Sequence, residues 1–267
     1  MKITDNMMQN LSAIGRIFYG TAIAETGLET IYFGDFPYWM LPPKHAGMPG
    51  FAVIAMVGGA VLLFAGIGLV MNKQARLISL LLGYLFLMIF CFYYVPFVLL
   101  ENVSDIRKLV WHNAEKELAM CSGAFVIAHG LIAGEESSRI RLIKRIASYG
   151  AIVFSLTMIS FGIAHFRLAA AVATLVPAWI PGPMFWTYAA GVALLGSGLA
   201  IILRIKSQSM AFLLGCIIFI WVIILHIPRI AASPAPYLAS EIASTFIALA
   251  YSGTAFAIAG WIKKNAG

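Results

Sequence analysis

The sequence predicts an all-α polytopic membrane protein, with eight transmembrane helices forming two parallel four-helix bundles. Three observations carry that expectation. Charged residues make up 11% of the chain and hydrophobic residues 61%, whereas soluble domains carry about a quarter charged. Charge-free apolar runs recur, several of them as long as the roughly 20 residues a bilayer crossing needs. The second half also repeats the pattern of the first.

The segments follow in order. Leu11–Tyr32 is the most polar candidate, because it contains Arg16, Glu25 and Glu29. Phe51–Met71 and Leu77–Leu100 hold no charge. Leu118–Gly134 closes the first half. Ile146–Ala164, Met184–Leu203, Ser209–Leu225 and Ile242–Ile262 form the second. Continuous runs argue against a β-barrel, whose strands alternate. Lys2 is followed by Asp5 and a polar stretch, and no small-residue cleavage site follows the first apolar segment. That segment is therefore read as a retained helix. Cys91, Cys121 and Cys216 all fall inside apolar runs and form no close pair, which disfavours paired-thiol chemistry.

The net charge of +7 does not imply nucleic acid, because its distribution follows the membrane. With eight crossings, one side receives Lys2, Arg16, Lys73, Arg76, Arg139, Arg141, Lys144, Arg145, Arg204, Lys206, Lys263 and Lys264, opposed only by Asp5, Glu135 and Glu136. The positive-inside rule makes that side cytoplasmic, with both termini on it.

Four matches in register indicate duplication. Ala24-Glu25 and Pro37-Tyr-Trp39 correspond to Ala164-His165 and Pro177-Ala-Trp179. Gly66-Ile-Gly68-Leu69 corresponds to Gly196-Ser-Gly198-Leu199. Gly83 and Tyr94-Val-Pro96 correspond to Gly215 and His226-Ile-Pro228, and Ser122-Gly123 to Ser252-Gly253. The expected units are 1–134 and 146–267, joined by a charged cytoplasmic linker at 135–145. Each begins and ends on the same face, so the copies are parallel. The paired glycines suit close helix packing in lipid.

His165-Phe166, Val-Pro-Ala-Trp-Ile-Pro at 176–181, Gly196-Ser-Gly198-Leu199 and Leu-His-Ile-Pro at 225–228 resemble the DoxX family of four-helix bacterial membrane proteins. The resemblance covers about residues 14–262, and the first half is a more divergent copy. It implies two fused units in a bacterial cytoplasmic (inner) membrane. Some members of the family resemble the membrane subunit of a thiosulfate:quinone oxidoreductase, and others are linked to redox or sulfur stress. The implied role is a redox-associated subunit with a quinone-like ligand, and the implied partner is another membrane or extracytoplasmic redox protein. Glu25 and Tyr94 stand where the second half has His165 and His226, so a function needing both histidines belongs to the second half.

Helical rise places Glu25, Tyr94, His165 and His226 in the outer third of their helices. His112, Glu115, Lys116 and Glu117 are read as starting one inward helix, and Glu241 as starting another. Ionisable groups in a membrane face a bundle interior or a wet cavity, so this layer is the candidate site. His165, His226, Arg229, Glu241 and Trp179 are the candidate ligand-binding residues. The two histidines suit a hydrogen bond to a quinone carbonyl or a proton transfer better than haem or metal ligation. Glu25 and Glu29, one turn apart on a shared face, form with Tyr94 a candidate proton or cation site. Against this, Glu25 could pair with Lys108 or Lys116 while Glu29 reaches the headgroups. Arg229 and Glu241 are expected to form an ion pair, and His129 is read as structural. Trp179 and Trp186 serve as interfacial anchors around an amphipathic stretch from Arg167. No catalytic triad, metal-ligand spacing or nucleotide loop is present. The rival readings are a non-enzymatic scaffold or assembly factor and a small-molecule transporter. The transporter is disfavoured because no broken helix is evident.

Overall fold

The computed structural model describes residues 5–41, 49–100, 104–131 and 149–261. The linker expected at 135–145 lies outside them. The described residues form helices and no strand. In chain order these are α1 (Asp5–Phe33), α2 (Phe51–Val70), α3 (Ala75–Leu100), α4 (Ser104–Gly130), α5 (Gly150–Arg167), the short α6 (Ala169–Ala173), α7 (Pro183–Ile202), α8 (Ser207–Ala232) and α9 (Ala235–Trp261). Six are long and apolar enough to cross a membrane: α2, α3, α5, α7, α8 and the Tyr237–Gly260 part of α9. The others of comparable length, α1 with 29 residues and α4 with 27, are more polar.

Two helices begin earlier than hydropathy predicts. α4 starts at Ser104 and α9 at Ala235, not near 118 and 242. Glu and Lys are good helix formers, so the charged stretch extends α4 and does not end it. His112, Glu115, Lys116, Glu117 and Glu241 consequently lie inside helices. α3 and α8 are also not uniform. Each widens to a π-helical turn, at Phe90–Tyr94 and Val222–His226. There Val95 N–H bonds the Phe90 carbonyl, and Ile227 N–H bonds the Val222 carbonyl. Pro96 and Pro228 follow at once. A proline lacks the N–H of the regular ladder and crowds the carbonyl four residues back, and the wider turn relieves that crowding.

Small residues set the packing. Chief neighbours are α1 with α2 and α9, α5 with α7 and α4, α3 with α4, and α8 with α9. At the α1–α2 crossing, a Cβ on Gly66 would lie 2.3 Å from Ala24 N, and one on Gly27 2.4 Å from Leu63 N. At α5–α7, Gly162 meets Gly191 and Leu195, while Gly198 meets Ser155 and Ile159. The glycine that matches Gly66 in packing is therefore Gly198. Gly196, aligned with Gly66 on sequence, has nothing within 4 Å of its Cβ position. Sequence spacing cannot detect this shift of two residues, because both glycines lie in the same Gly-Ser-Gly.

The main core runs through both halves. It includes Tyr19, Trp39 and Phe86 from the first half and Phe154, Met158 and Ile258 from the second. The outward surface is apolar too. On α2, Val53, Val57, Val61 and Phe64 are all exposed, as expected of a surface that lipid contacts.

Candidate functional site

Some of the polar residues of the second half, His165 and His226 among them, line a cavity of about 350 Å³ between α5, α7, α8 and α9. That is within the size range of small-molecule sites, roughly 300–1,000 Å³. Its walls are mostly apolar, and Trp186, Trp221 and Tyr251 supply aromatic faces.

His165 and His226 both line it. His165 stands in the last turn of α5, where its Nδ1 is 2.7 Å from the Phe161 carbonyl. A carbonyl only accepts, so Nδ1 carries the hydrogen in this contact. His226 closes the π turn of α8, and its buried Nδ1 has no hydrogen-bond partner among the described residues. The widened turn rotates the residues around it, and such turns recur at functional sites.

Lys116 brings a cation to the cavity wall from α4. Its Nζ is 4.9 Å from the centre of the Tyr38 ring and 3.3 Å from Asn113 Oδ1. Tyr38 Oη is in turn 3.2 Å from Ser244 Oγ on α9. A loop of the first half thus touches two residues of the cavity wall, Lys116 and Ser244. The pairing of Lys116 with Glu25 considered on sequence does not form, because Asn113 and the Tyr38 ring hold the ammonium. The side chain of Lys108 lies outside the described residues.

Arg229 and Glu241 form the expected ion pair. Arg229 Nε donates to Glu241 Oε2 at 2.8 Å, and a second guanidinium nitrogen donates to Oε1. The pair ties the end of α8 to α9 and is electrostatically coupled to His226, but it does not line the cavity. Trp179 is 66% exposed and does not line it either. The indoles at the wall are Trp186 and Trp221, and Trp186 Nε1 donates to the Pro181 carbonyl at 3.2 Å.

The other half differs. Tyr94 occupies the last position of its π turn, as His226 does, but its hydroxyl donates to the carbonyl of Trp39. Trp39 is only 1% exposed. Glu25 and Glu29 lie on α1, and one oxygen of each is buried with no hydrogen-bond partner among the described residues. Gly27 and Gly162 occupy like positions at their crossings, and that register sets Glu25 against Ser160 rather than His165. Ser160 Oγ donates to Glu115 at 2.5 Å. That bond fastens α4 to α5, while within α4 Glu115 also accepts from Trp111 Nε1 at 3.0 Å and lies 3.2 Å from His112 Nδ1.

Lys116 belongs to the polar layer that the sequence marks as the candidate site, though not to its candidate ligand-binding residues, while Trp221 and Tyr251 sit in strongly apolar runs that give no such signal. Alternation along α4 carried a signal, since three successive ionisable residues on a helix point in three directions. Among the described residues no group of three or more His, Cys, Asp or Glu could hold a metal ion. Chemically, the site offers imidazole nitrogens and a phenol to a molecule held between apolar and aromatic walls. No protein-family model, curated protein or solved structure matches the chain, so the reading of this site rests on its own residues.

Proposed function

We propose that this protein is a DoxX-like membrane subunit with a redox-associated role, and that it binds a quinone-like hydrophobic molecule between α5, α7, α8 and α9. The observation that carries the reading is a cavity whose lining includes two residues with buried polar atoms that have no hydrogen-bond partner among the described residues, His226 Nδ1 and Tyr251 Oη. A buried polar atom left unpaired costs about 1–3 kcal/mol, and a ligand carbonyl or hydroxyl would satisfy it. The apolar remainder suits a flat ring or an isoprenoid-like tail. The test is titration of the full chain, in mild detergent, with a short-chain benzoquinone and a naphthoquinone. Quenching of tryptophan emission reports binding, since Trp186 and Trp221 line the cavity. Saturable quenching at micromolar concentrations is expected. No saturable quenching, with no small molecule found by mass spectrometry of the purified protein, would overturn the reading in favour of a scaffold.

The fold belonging to this reading is eight crossings in two parallel copies, with both termini in the cytoplasm of a bacterial cell. Several paired features support it. Asn72 and Gln74 adopt positive φ between α2 and α3, as Arg204 and Lys206 do between α7 and α8. The π turns sit at matching places. Phe125 covers Gly83, and Phe256 covers Gly215. A cysteine at position 264 should resist a membrane-impermeant maleimide in intact cells, and labelling there would reverse the orientation.

A further inference from the structure

Among the described residues, the wall of the cavity holds one lysine, Lys116, and no aspartate or glutamate. His165, His226, Thr187, Ser244 and Tyr251 supply its other polar side chains, and the rest are apolar or indole. In a mostly apolar pocket the few polar groups fix orientation and specificity, so a lone ammonium bears on the charge of the occupant.

The protein does not neutralise that ammonium. Its partners among the described residues are Asn113 Oδ1 at 3.3 Å, Tyr38 Oη at 3.5 Å and the Tyr38 ring, centred 4.9 Å away. All are uncharged, and an ammonium has three N–H donors to place. Glu115 and Glu117 flank it in sequence but leave α4 in other directions, and neither lines the cavity. Glu241 is held by Arg229. A cation in apolar surroundings is costly unless paired, and an anion in the cavity would pair it. The position of the charge is also set. Asn113 Nδ2 donates to the Tyr38 carbonyl at 3.3 Å, and Tyr38 Oη is 3.2 Å from Ser244 Oγ at the wall. These contacts hold the end of the lysine beside α9. Two turns along the same helix, the Tyr251 ring is stacked on Phe161, with centroids 5.9 Å apart. Trp186 and Trp221 meet edge to face, with centroids 6.2 Å apart. All four aromatic side chains line the cavity, and such faces favour a flat ring.

We propose that the cavity binds an acidic hydroxyquinone in its ionised form, with the ring against the aromatic side chains and the anionic oxygen at Lys116. A hydroxyl on a quinone ring is a vinylogous acid, so its conjugate base spreads one negative charge over two oxygens in the ring plane. A charge-assisted hydrogen bond to the ammonium is roughly twice as strong as a neutral one, and apolar walls strengthen the attraction further. No covalent bond is made or broken. The inference rests on the quinone-like reading above for the ring and adds the charge to it.

Tryptophan quenching of the full chain in mild detergent tests it with two ligands. One is phthiocol, a hydroxy-methyl-naphthoquinone that is ionised at neutral pH. The other is its dimethyl analogue, in which a methyl group replaces the hydroxyl. The quinone ring is fully substituted in both, so neither alkylates the exposed Cys91 thiol. The wild type should bind phthiocol about tenfold more tightly. Lys116→Met should remove that preference by weakening phthiocol alone, and Lys116→Arg should keep it. Should Lys116→Met fold poorly, Lys116→Gln, which retains an N–H for Asn113, should lose the preference as well. Equal affinities in the wild type would overturn the inference, as would a preference that survives loss of the charge. Equal weakening of both quinones would also overturn it and make Lys116 structural. Decanoate, an anion without a ring, should displace phthiocol only weakly. Displacement at concentrations matching phthiocol would replace the hydroxyquinone with an aliphatic acid. Binding of the dimethyl analogue with no preference for phthiocol overturns this inference alone and leaves the quinone-like reading standing. Saturable binding of neither quinone overturns both.

Discussion

His226 and His129 are both histidines within helices of this molecule, but their surroundings set them different tasks. His226 lines the cavity and has a buried nitrogen without a hydrogen-bond partner among the described residues. His129 is near the end of α4 and does not line the cavity. His226→Phe should therefore weaken quinone binding about tenfold, the equivalent of one hydrogen bond of about 1.4 kcal/mol, at an unchanged folded yield. His129→Phe should leave affinity alone. Fluorescence titration of both variants checks this, and a loss of folded protein with unaltered affinity per molecule would make His226 structural. Arg229 and Glu241 act differently, because both hold each other and neither is at the wall. Arg229→Ala leaves Glu241 half-buried without its partner and should cost about 2 kcal/mol. Thermal unfolding in detergent measures that cost. Replacing both residues with Met should recover most of it.

At the scale of helices, contact is decided by which glycine faces a neighbour. Gly66 has no room for a methyl group, since its Cβ would collide with the backbone of α1 at Ala24. Backbone cannot yield as a flexible side chain can. Gly66→Ala should lower the melting temperature by about 5 °C, as expected for overpacking by 1–3 kcal/mol. Gly196→Ala, in open space, should leave it within error and even gain slightly from helix propensity. Equal melting shifts for the two would contradict the crossing described above. The π turns belong to the same scale. Each follows from a proline two residues downstream and ends in the residue that differs most in chemistry between the halves, Tyr94 or His226. The Tyr94 hydroxyl is committed to Trp39, whereas the buried His226 nitrogen has no hydrogen-bond partner among the described residues.

The whole molecule is one body because its first long helix closes against its last. A Cβ on Gly15 of α1 would lie 2.4 Å from the Gly253 carbonyl of α9, and α4 packs against α5 and α9. Residues 1–134 alone would leave the glycine face of α1 uncovered, and 146–267 alone would leave that of α9 uncovered. Without a hydrophobic drive in lipid, such faces associate by close packing. The halves expressed separately should be protease-sensitive and polydisperse in detergent, whereas the co-expressed halves should purify together. Size-exclusion chromatography decides between these outcomes. Two halves that are each monodisperse alone would show that the contact between α1 and α9 is dispensable. The cavity wall depends on the same arrangement, since Lys116 comes from the first half.

Sequence by itself determined the class of the molecule. Sparse charge and long apolar runs are properties of local composition, and a chain so built buries its backbone polarity in helices. The Arg229–Glu241 pair was legible for the same reason, because two opposite charges flank one short turn in an otherwise apolar stretch. Tertiary structure alone decided the rest. Whether Gly66 matches Gly196 or Gly198, whether Trp179 or Trp186 faces the cavity, and whether Lys116 turns to Glu25 or to Tyr38 depend on helix rotation and on neighbours distant in sequence. Glu117 shows the limit most plainly. In the sequence it is the last of three adjacent ionisable residues. In the folded chain Glu115 accepts a hydrogen bond from Ser160 of α5, Lys116 meets the cavity, and Glu117 is fully buried. The physical reason is that successive residues of a helix point about 100° apart, so adjacent residues meet different surroundings that only the packed neighbours supply.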